Sequence, residues 1–133
     1  MLDGGKTPTG AGGIIKSHRD LIVWQKAMDL AVVIYHATEE FPKKETYGLT
    51  SQLRRAAASI PANIAEGQGR RLAGEFQQFL AHARGSLLEL DTHLELALRL
   101  GYLTRHQHSA IQVRVDEVGR LLNGLLRSLR SKI

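Results

Sequence analysis

Two stretches in the second half of the chain set apolar residues at alternating spacings of four and three. Phe76, Leu80, Ala83, Leu87, Leu90, Leu94 and Ala97 follow this rhythm, and so do Ile111, Val115, Val118, Leu122, Leu125 and Leu129, with Ile133 a further four residues on. The repeat keeps one stripe of a helix apolar over many turns, and a stripe that long must be covered by another helix. Further apolar positions at Phe79, Leu88, Leu96, Leu98 and Leu100 give the first of these helices a second sticky side, which implies neighbours within its own bundle or from another subunit. No segment sustains period-two alternation, so no sheet is expected. At 133 residues the chain supports one core and is too short for two. The expected fold is all-α, an antiparallel up-down four-helix bundle over residues 18–133.

The first half of the sequence supplies the other two helices. Residues 1–17, rich in glycine and without apolar period, read as a flexible leader. Ser17 and Asp20 form a capping box pattern that opens helix one. That helix should run from about Leu21 to Glu40, with Trp24, Ala27, Ala31, Ile34 and Thr38 as its stripe and Met28, Leu30 and Tyr35 widening it. Phe41-Pro42 stops it, because a residue before proline is pushed out of the helical region. The loop 43–48 follows. Helix two then opens near Gly48 and ends at Gly67-Gln68-Gly69, where glycine should supply a left-handed closing residue. Gly101 is expected to close helix three, and Thr104 with Gln107 to cap helix four.

Helix two carries a conflict. Leu53, Ile60, Ile64 and the small residues Ala56, Ala57, Ala58, Ser59, Ala62 and Ala65 make a closely packed seam, yet Pro61 lies within it. A proline there removes a backbone donor and crowds the preceding turn, so the helix should kink at Pro61 and be held by its neighbours. Asn63 and Glu66, the polar residues of that turn, are expected to satisfy the freed backbone groups or to bridge subunits.

Charge narrows the function. The formal net charge is +5. Residues 1–98 hold eleven basic and eleven acidic side chains, whereas residues 99–133 hold seven basic ones against Asp116 and Glu117. A basic C-terminal element favours an acidic partner, nucleic acid first, with solubility as the plain alternative. Twelve arginines against six lysines suit bidentate phosphate contact. The candidate contacts are Arg54, Arg55, Arg70, Arg71, Arg120, Arg127 and Arg130. Arg120 and Arg127 should face outward, opposite the helix-four stripe, and one of Arg54 and Arg55 should pair with Glu66, Glu89 or Glu95 within or between bundles, leaving the other free for a ligand. Gly67-Gln68-Gly69-Arg70-Arg71 at the mouth of helix three could cradle a phosphate, although a plain helix-ending turn explains it as well. Trp24, Tyr35, Phe76 and Phe79 lie mostly on core stripes, so no stacking platform is expected and binding should be backbone-dominated and salt-sensitive.

Catalytic signatures are missing. There is no nucleophile elbow, phosphate-binding loop, zinc-protease helix or dinucleotide fingerprint. His82, Ser86, Glu89 and His93 share a face of helix three and could ligate a metal, but the Glu-x-x-His pairs of di-metal bundles are absent. The face is read as solvated, with a metal-dependent enzyme as the third hypothesis, and His106 and His108 are weaker candidates still. No cofactor is expected. With no cysteine, no span of about 20 apolar residues and no secretory signal pattern, a cytoplasmic protein outside the membrane is expected.

Several longer motifs occur in order. They are Asp20-Leu21, Val23-Trp24-Gln25-Lys26-Ala27, Phe41-Pro42, Tyr47-Gly48-Leu49-Thr50-Ser51-Gln52-Leu53-Arg54-Arg55-Ala56-Ala57 and Ser59-Ile60-Pro61-Ala62-Asn63-Ile64-Ala65-Glu66-Gly67. Glu75-Phe76, Gly85-Ser86-Leu87, Glu89-Leu90 and Glu117-Val118-Gly119-Arg120-Leu121-Leu122-Asn123-Gly124-Leu125 follow. From Asp20 onward the sequence resembles the four-helix bundle family encoded in intervening sequences of bacterial 23S ribosomal RNA genes. It departs in its glycine-rich leader and in Leu72, where the family tends to place a serine cap. The resemblance implies a left-handed up-down bundle that assembles into a homopentameric ring. It also implies kinship with accessory variability determinant proteins of diversity-generating retroelements, which associate with a reverse transcriptase and its RNA. Two functions are therefore carried forward. One is a non-enzymatic homo-oligomeric scaffold that binds structured RNA through its arginines, and the other is an adaptor that docks a reverse transcriptase or another nucleic-acid enzyme.

Overall fold

The computed structural model describes residues 14–130. Four helices follow one another, α1 (Ile22–Thr38), α2 (Leu49–Gln68), α3 (Ala73–Arg99) and α4 (Arg105–Arg130). Each packs against the next and α4 returns to α1, so the four close a ring in which α1 and α3 are diagonal. Ser59 meets Ser86 while Gly67 meets Phe76 and Phe79, so α2 and α3 run in opposite directions. Asp91 with Gln112 and Leu87 with Gly119 give the same reversal between α3 and α4. The leader reading for residues 1–13 lies outside the described residues. Ile15 already packs against the core, and the backbone N–H groups of Lys16 and Ser17 donate to Asp20.

The α3 stripe is buried from Leu80 to Ala97 at every expected position, with Phe76 half-buried at its start. On α4 the stripe is Ile111, Val115, Val118, Leu122, Leu126 and Leu129, so Leu126 replaces the expected Leu125. A straight helix of 3.6 residues per turn drifts by about 20° per heptad against a strict 3.5 repeat, and over two heptads the drift rotates the next residue into the core. Ile133 lies outside the described residues. Full burial of Leu53, Ile60, Ile64, Leu80, Leu90, Leu94 and Leu122 contributes about 1.5–3 kcal/mol per side chain before the entropy of ordering it.

Helix ends follow local chemistry, with three corrections. Ser17 and Asp20 do form a capping box, but it closes a 3-10 turn at His18–Asp20, and extended Leu21 (φ −78°, ψ 125°) separates that turn from α1. α1 ends at Thr38, two residues short of Glu40, where the backbone tightens: the Glu39 N–H donates to the His36 carbonyl and the Phe41 N–H to the Thr38 carbonyl. Gly69 closes α2 with φ −77° and therefore not in the left-handed region. Gly101 does adopt it, at φ 81°, and the N–H groups of Tyr102 and Gly101 donate to the carbonyls of Ala97 and Leu98 in a Schellman closure. Thr104 and Gln107 exchange backbone-to-side-chain bonds of 2.8 and 3.0 Å at the start of α4.

Pro61 is buried inside α2, which runs on to Gln68. Lacking an N–H, it leaves the Ala57 carbonyl without its usual donor. Asn63 does not supply one. Its amide donates to the Ser59 carbonyl and hydroxyl at 2.9 and 3.0 Å, and Ser59 Oγ shares a 2.8 Å hydrogen bond with Ser86 Oγ on α3. Asn63 therefore supports a polar link between helices, while Glu66 pairs with Arg70 at 2.8 Å.

Two predictions follow from this packing. A Cβ on Gly67 would lie 2.7 Å from Phe79 Cβ, whereas one on Gly85 would meet nothing within 4 Å. Gly67→Ala should lower unfolding free energy by about 1–3 kcal/mol and Gly85→Ala raise it by about 0.5–1 kcal/mol, both read by urea titration. Separately, Glu45 accepts the Leu49 N–H and, at 2.9 Å, the Tyr102 hydroxyl, which lowers its pKa and raises that of Tyr102. The Glu45 contribution is present above about pH 4.5 and lost as pH falls through its lower folded value. The Tyr102 contribution is present below about pH 10.0 and lost as pH rises through its higher folded value. Tyr102→Phe should flatten the dependence of the urea midpoint on pH at both extremes.

Candidate nucleic-acid interface

The seven candidate arginines divide into three groups by what they touch. Arg54 is a structural clamp. Its Nε donates to Thr38 Oγ1 at 2.8 Å, its Nη2 to the Tyr35 carbonyl at 3.2 Å, and its guanidinium lies 4.9 Å from the Tyr35 ring centroid. The Tyr35 carbonyl is among the last four of α1, which have no backbone donor four residues on; the Thr38 hydroxyl reaches it at 3.1 Å, and a cation there also suits the helix dipole. The expected pairing with Glu66, Glu89 or Glu95 is therefore replaced by a bond to the end of α1.

Arg70 is paired with Glu66 and lies 4.9 Å from the Phe79 centroid, so in the turn entering α3 Arg71 is the arginine without an ion pair among the described residues. Leu72, at the N-cap of α3, makes no side-chain cap bond. Arg55, Arg71, Arg120, Arg127 and Arg130 are exposed and form no ion pair among the described residues. Antiparallel pairing of α3 with α4 carries Arg127 and Arg130 to the end of the bundle that also holds Arg70 and Arg71. Lys26 reaches Glu117, midway along α4, at 3.5 Å. Arg54 and Arg55 lie toward the opposite end, and Arg120 borders a shallow groove of about 360 Å³ with Asp91, Gln112 and Asp116.

A larger cleft, of about 730 Å³, lies between the C-terminal turn of α1, the following loop and the first turns of α2. Tyr35, Glu39, Lys43, Tyr47, Ser51 and Arg55 are among its lining residues. Tyr35 is 43% exposed, which corrects its placement on the core stripe, and Tyr47, which belongs to no stripe, is 97% exposed. Tyr35 follows Ile34 of the buried stripe, and the turn of about 100° per residue carries it off the core face. Tyr47 and Lys43 belong to no periodic pattern, so apolar spacing does not reveal them. The available signal was a tyrosine in a connecting loop between Pro42 and Gly48, since loops on a rigid scaffold often carry binding residues.

The histidine face of α3 divides. His82 and Glu89 are exposed, His93 is half-buried, and Ser86 is drawn to Ser59 on α2. Among the described residues no group of three or more His, Asp or Glu side chains is placed to hold a metal ion. His108 lies 3.8 Å from Glu95, while His106 is exposed. No helix of the described residues is long and apolar enough to cross a membrane.

A family profile described as 23S rRNA-intervening sequence protein matches residues 19–124. Among solved structures, the chain is similar to a protein with unknown function from the S23 ribosomal protein family of Bacteroides thetaiotaomicron, seen in a crystal structure at 1.70 Å resolution. The two are 28% identical with a TM-score of 0.72, over 79% of this chain and 98% of that one. No match is found among curated proteins. One consequence of the clamp is testable at once. Arg54→Lys keeps the charge and loses the fork, and should cost about 1 kcal/mol of stability, read as a lower urea midpoint, whereas Arg55→Lys should leave the midpoint unchanged.

Proposed function

Because the chain belongs to the 23S rRNA-intervening sequence protein family, we propose that it is a non-enzymatic, cytoplasmic oligomeric scaffold that binds structured RNA through surface arginines. The observation that carries this reading is the set of exposed arginines without carboxylate partners, with Arg71, Arg127 and Arg130 gathered at one end of the bundle. A guanidinium already paired must give up its carboxylate before it meets a phosphate, and an unpaired one need not. Such contacts fix position on a backbone without reading sequence, which suits recognition of shape.

Assembly belongs to the same reading. Leu88, Leu96 and Leu100 on α3 are 59%, 44% and 51% exposed, and Val113 on α4 is 67% exposed. The second apolar side of α3 is therefore uncovered within one subunit, and another copy is its proposed cover. A left-handed up-down bundle bent at Pro61 and a ring of five copies complete the proposal. Five copies would turn a net charge of +5 into a field strong enough to gather a polyanion. The exposed leucines also favour the second reading, in which they dock a reverse transcriptase or another nucleic-acid enzyme and the RNA belongs to that partner.

Binding of a structured RNA followed by anisotropy over a salt series tests the first reading. Affinity should fall linearly on logarithmic axes as salt rises, and Arg127→Ala and Arg130→Ala should each reduce the slope by about 1. An affinity indifferent to salt would sink it. A complex with the enzyme that survives nuclease treatment would favour the adaptor.

A further inference from the structure

We propose that the cleft between α1 and α2 binds an unpaired nucleotide of single-stranded RNA, its base stacked on Tyr47 and its phosphate held by Arg55 and Lys43. The inference rests on the RNA-binding reading and adds a site that backbone contact alone does not require.

Three observations carry it. First, the cleft combines an aromatic ring with unpaired cations. Tyr47 is 97% exposed and stabilises no core, so its ring is free to take a base. Arg55 and Lys43 line the same cleft, and neither forms an ion pair among the described residues. Stacking on an aromatic face together with a cation for the backbone is the usual chemistry of single-strand binding.

Second, the cleft wall is set before anything arrives. Arg54 covers one face of Tyr35 at 4.9 Å and ties it to α2 through the Tyr35 carbonyl and the Thr38 hydroxyl. The wall next to Tyr47 therefore loses little freedom when a nucleotide enters, and the entropy cost of binding is reduced accordingly.

Third, the remaining groups suit a nucleotide better than an apolar segment. Ser51 offers a hydroxyl and Glu39 a carboxylate, an acceptor for the amino group of a base or for a ribose hydroxyl. At about 730 Å³ the cleft falls within the range of ligand-sized sites. The exposed leucines that would suit a second copy lie on α3, which lines no part of it. A duplex presents no free base face, so the site should distinguish single strands from paired RNA.

The test compares Tyr47→Ala with the unaltered protein on two labelled RNAs, a short oligoadenylate and a perfectly paired duplex. Tyr47→Ala should weaken oligoadenylate binding about tenfold, the order expected for one stacked base, and change duplex binding by less than about twofold. Adenosine monophosphate followed by amide NMR should shift Tyr47, Ser51 and Arg55. Equal losses on both RNAs, an unchanged oligoadenylate affinity, or shifts confined to other surfaces would overturn the site. A change in mass by light scattering for Tyr47→Ala would overturn it in favour of a subunit contact. Duplex binding that keeps its salt slope while the Tyr47 effect is missing leaves the general RNA reading standing. Shifts from the mononucleotide in a protein that binds neither RNA would leave the site standing and the general reading fallen.

Discussion

Gly67 of α2 lies so close to α3 that the absence of its side chain sets the distance between the two helices. Phe76 and Phe79 occupy the place where a Cβ would stand. The rest of the α2 seam continues the same logic, since Ala56 and Ala57 are buried and small, and Ser59 approaches Ser86 closely enough for a hydroxyl contact. Close approach fixes register, and register decides which polar groups meet. It sets the tight turn between Gln68 and Ala73, and with it the positions of Arg70 and Arg71. A proline in such a helix is tolerable because its cost falls where packing on both sides already restrains the backbone.

The arginines show how one residue type takes different roles through its surroundings. Arg70 and Arg99 form exposed i,i+4 pairs with Glu66 and Glu95, each worth roughly 0.3–0.5 kcal/mol. Such pairs are weak enough to be exchanged for a phosphate. Arg54 differs, because its bonds tie α2 to the buried Thr38 hydroxyl and to the Tyr35 carbonyl at the end of α1, a carbonyl that the Thr38 hydroxyl also reaches at 3.1 Å. Removing it would leave polar groups poorly satisfied, so Arg54 shapes the cleft and Arg55, one residue on, faces solvent.

This division was only partly legible in the sequence. The α3 stripe could be read residue by residue because apolar periodicity records burial directly. The exchange of Leu125 for Leu126 on α4 could not, since the two templates differ by a drift too small to see in a few turns. Gly101 was readable as a closing glycine, whereas Gly67 resembled one and proved to be a packing residue, because both roles exclude a side chain. The Arg54 bonds to Tyr35 and Thr38 span 19 and 16 residues and depend on how α1 ends, which no local pattern states. Tyr35 was assigned to the core by hydrophobicity, but its neighbours Ile34 and Thr38 had already filled that face.

The arrangement of the four helices separates the two kinds of exposed surface. α1 and α3 are diagonal in the ring. The cleft with Tyr47 and Arg55 is built from α1, α2 and the loop between them, while Leu88, Leu96 and Leu100 are presented by α3. Assembly through the α3 leucines would bury apolar area, the strongest general drive to association, without using the polar residues of the cleft. A contact centred on the cleft would instead have to desolvate Arg55, Lys43 and Glu39 and pair them anew, at a cost that burying a few aromatic atoms does not offset. The physical division therefore sets the exposed leucines and the cationic, aromatic cleft on different helices, so that covering one leaves the other open to solvent.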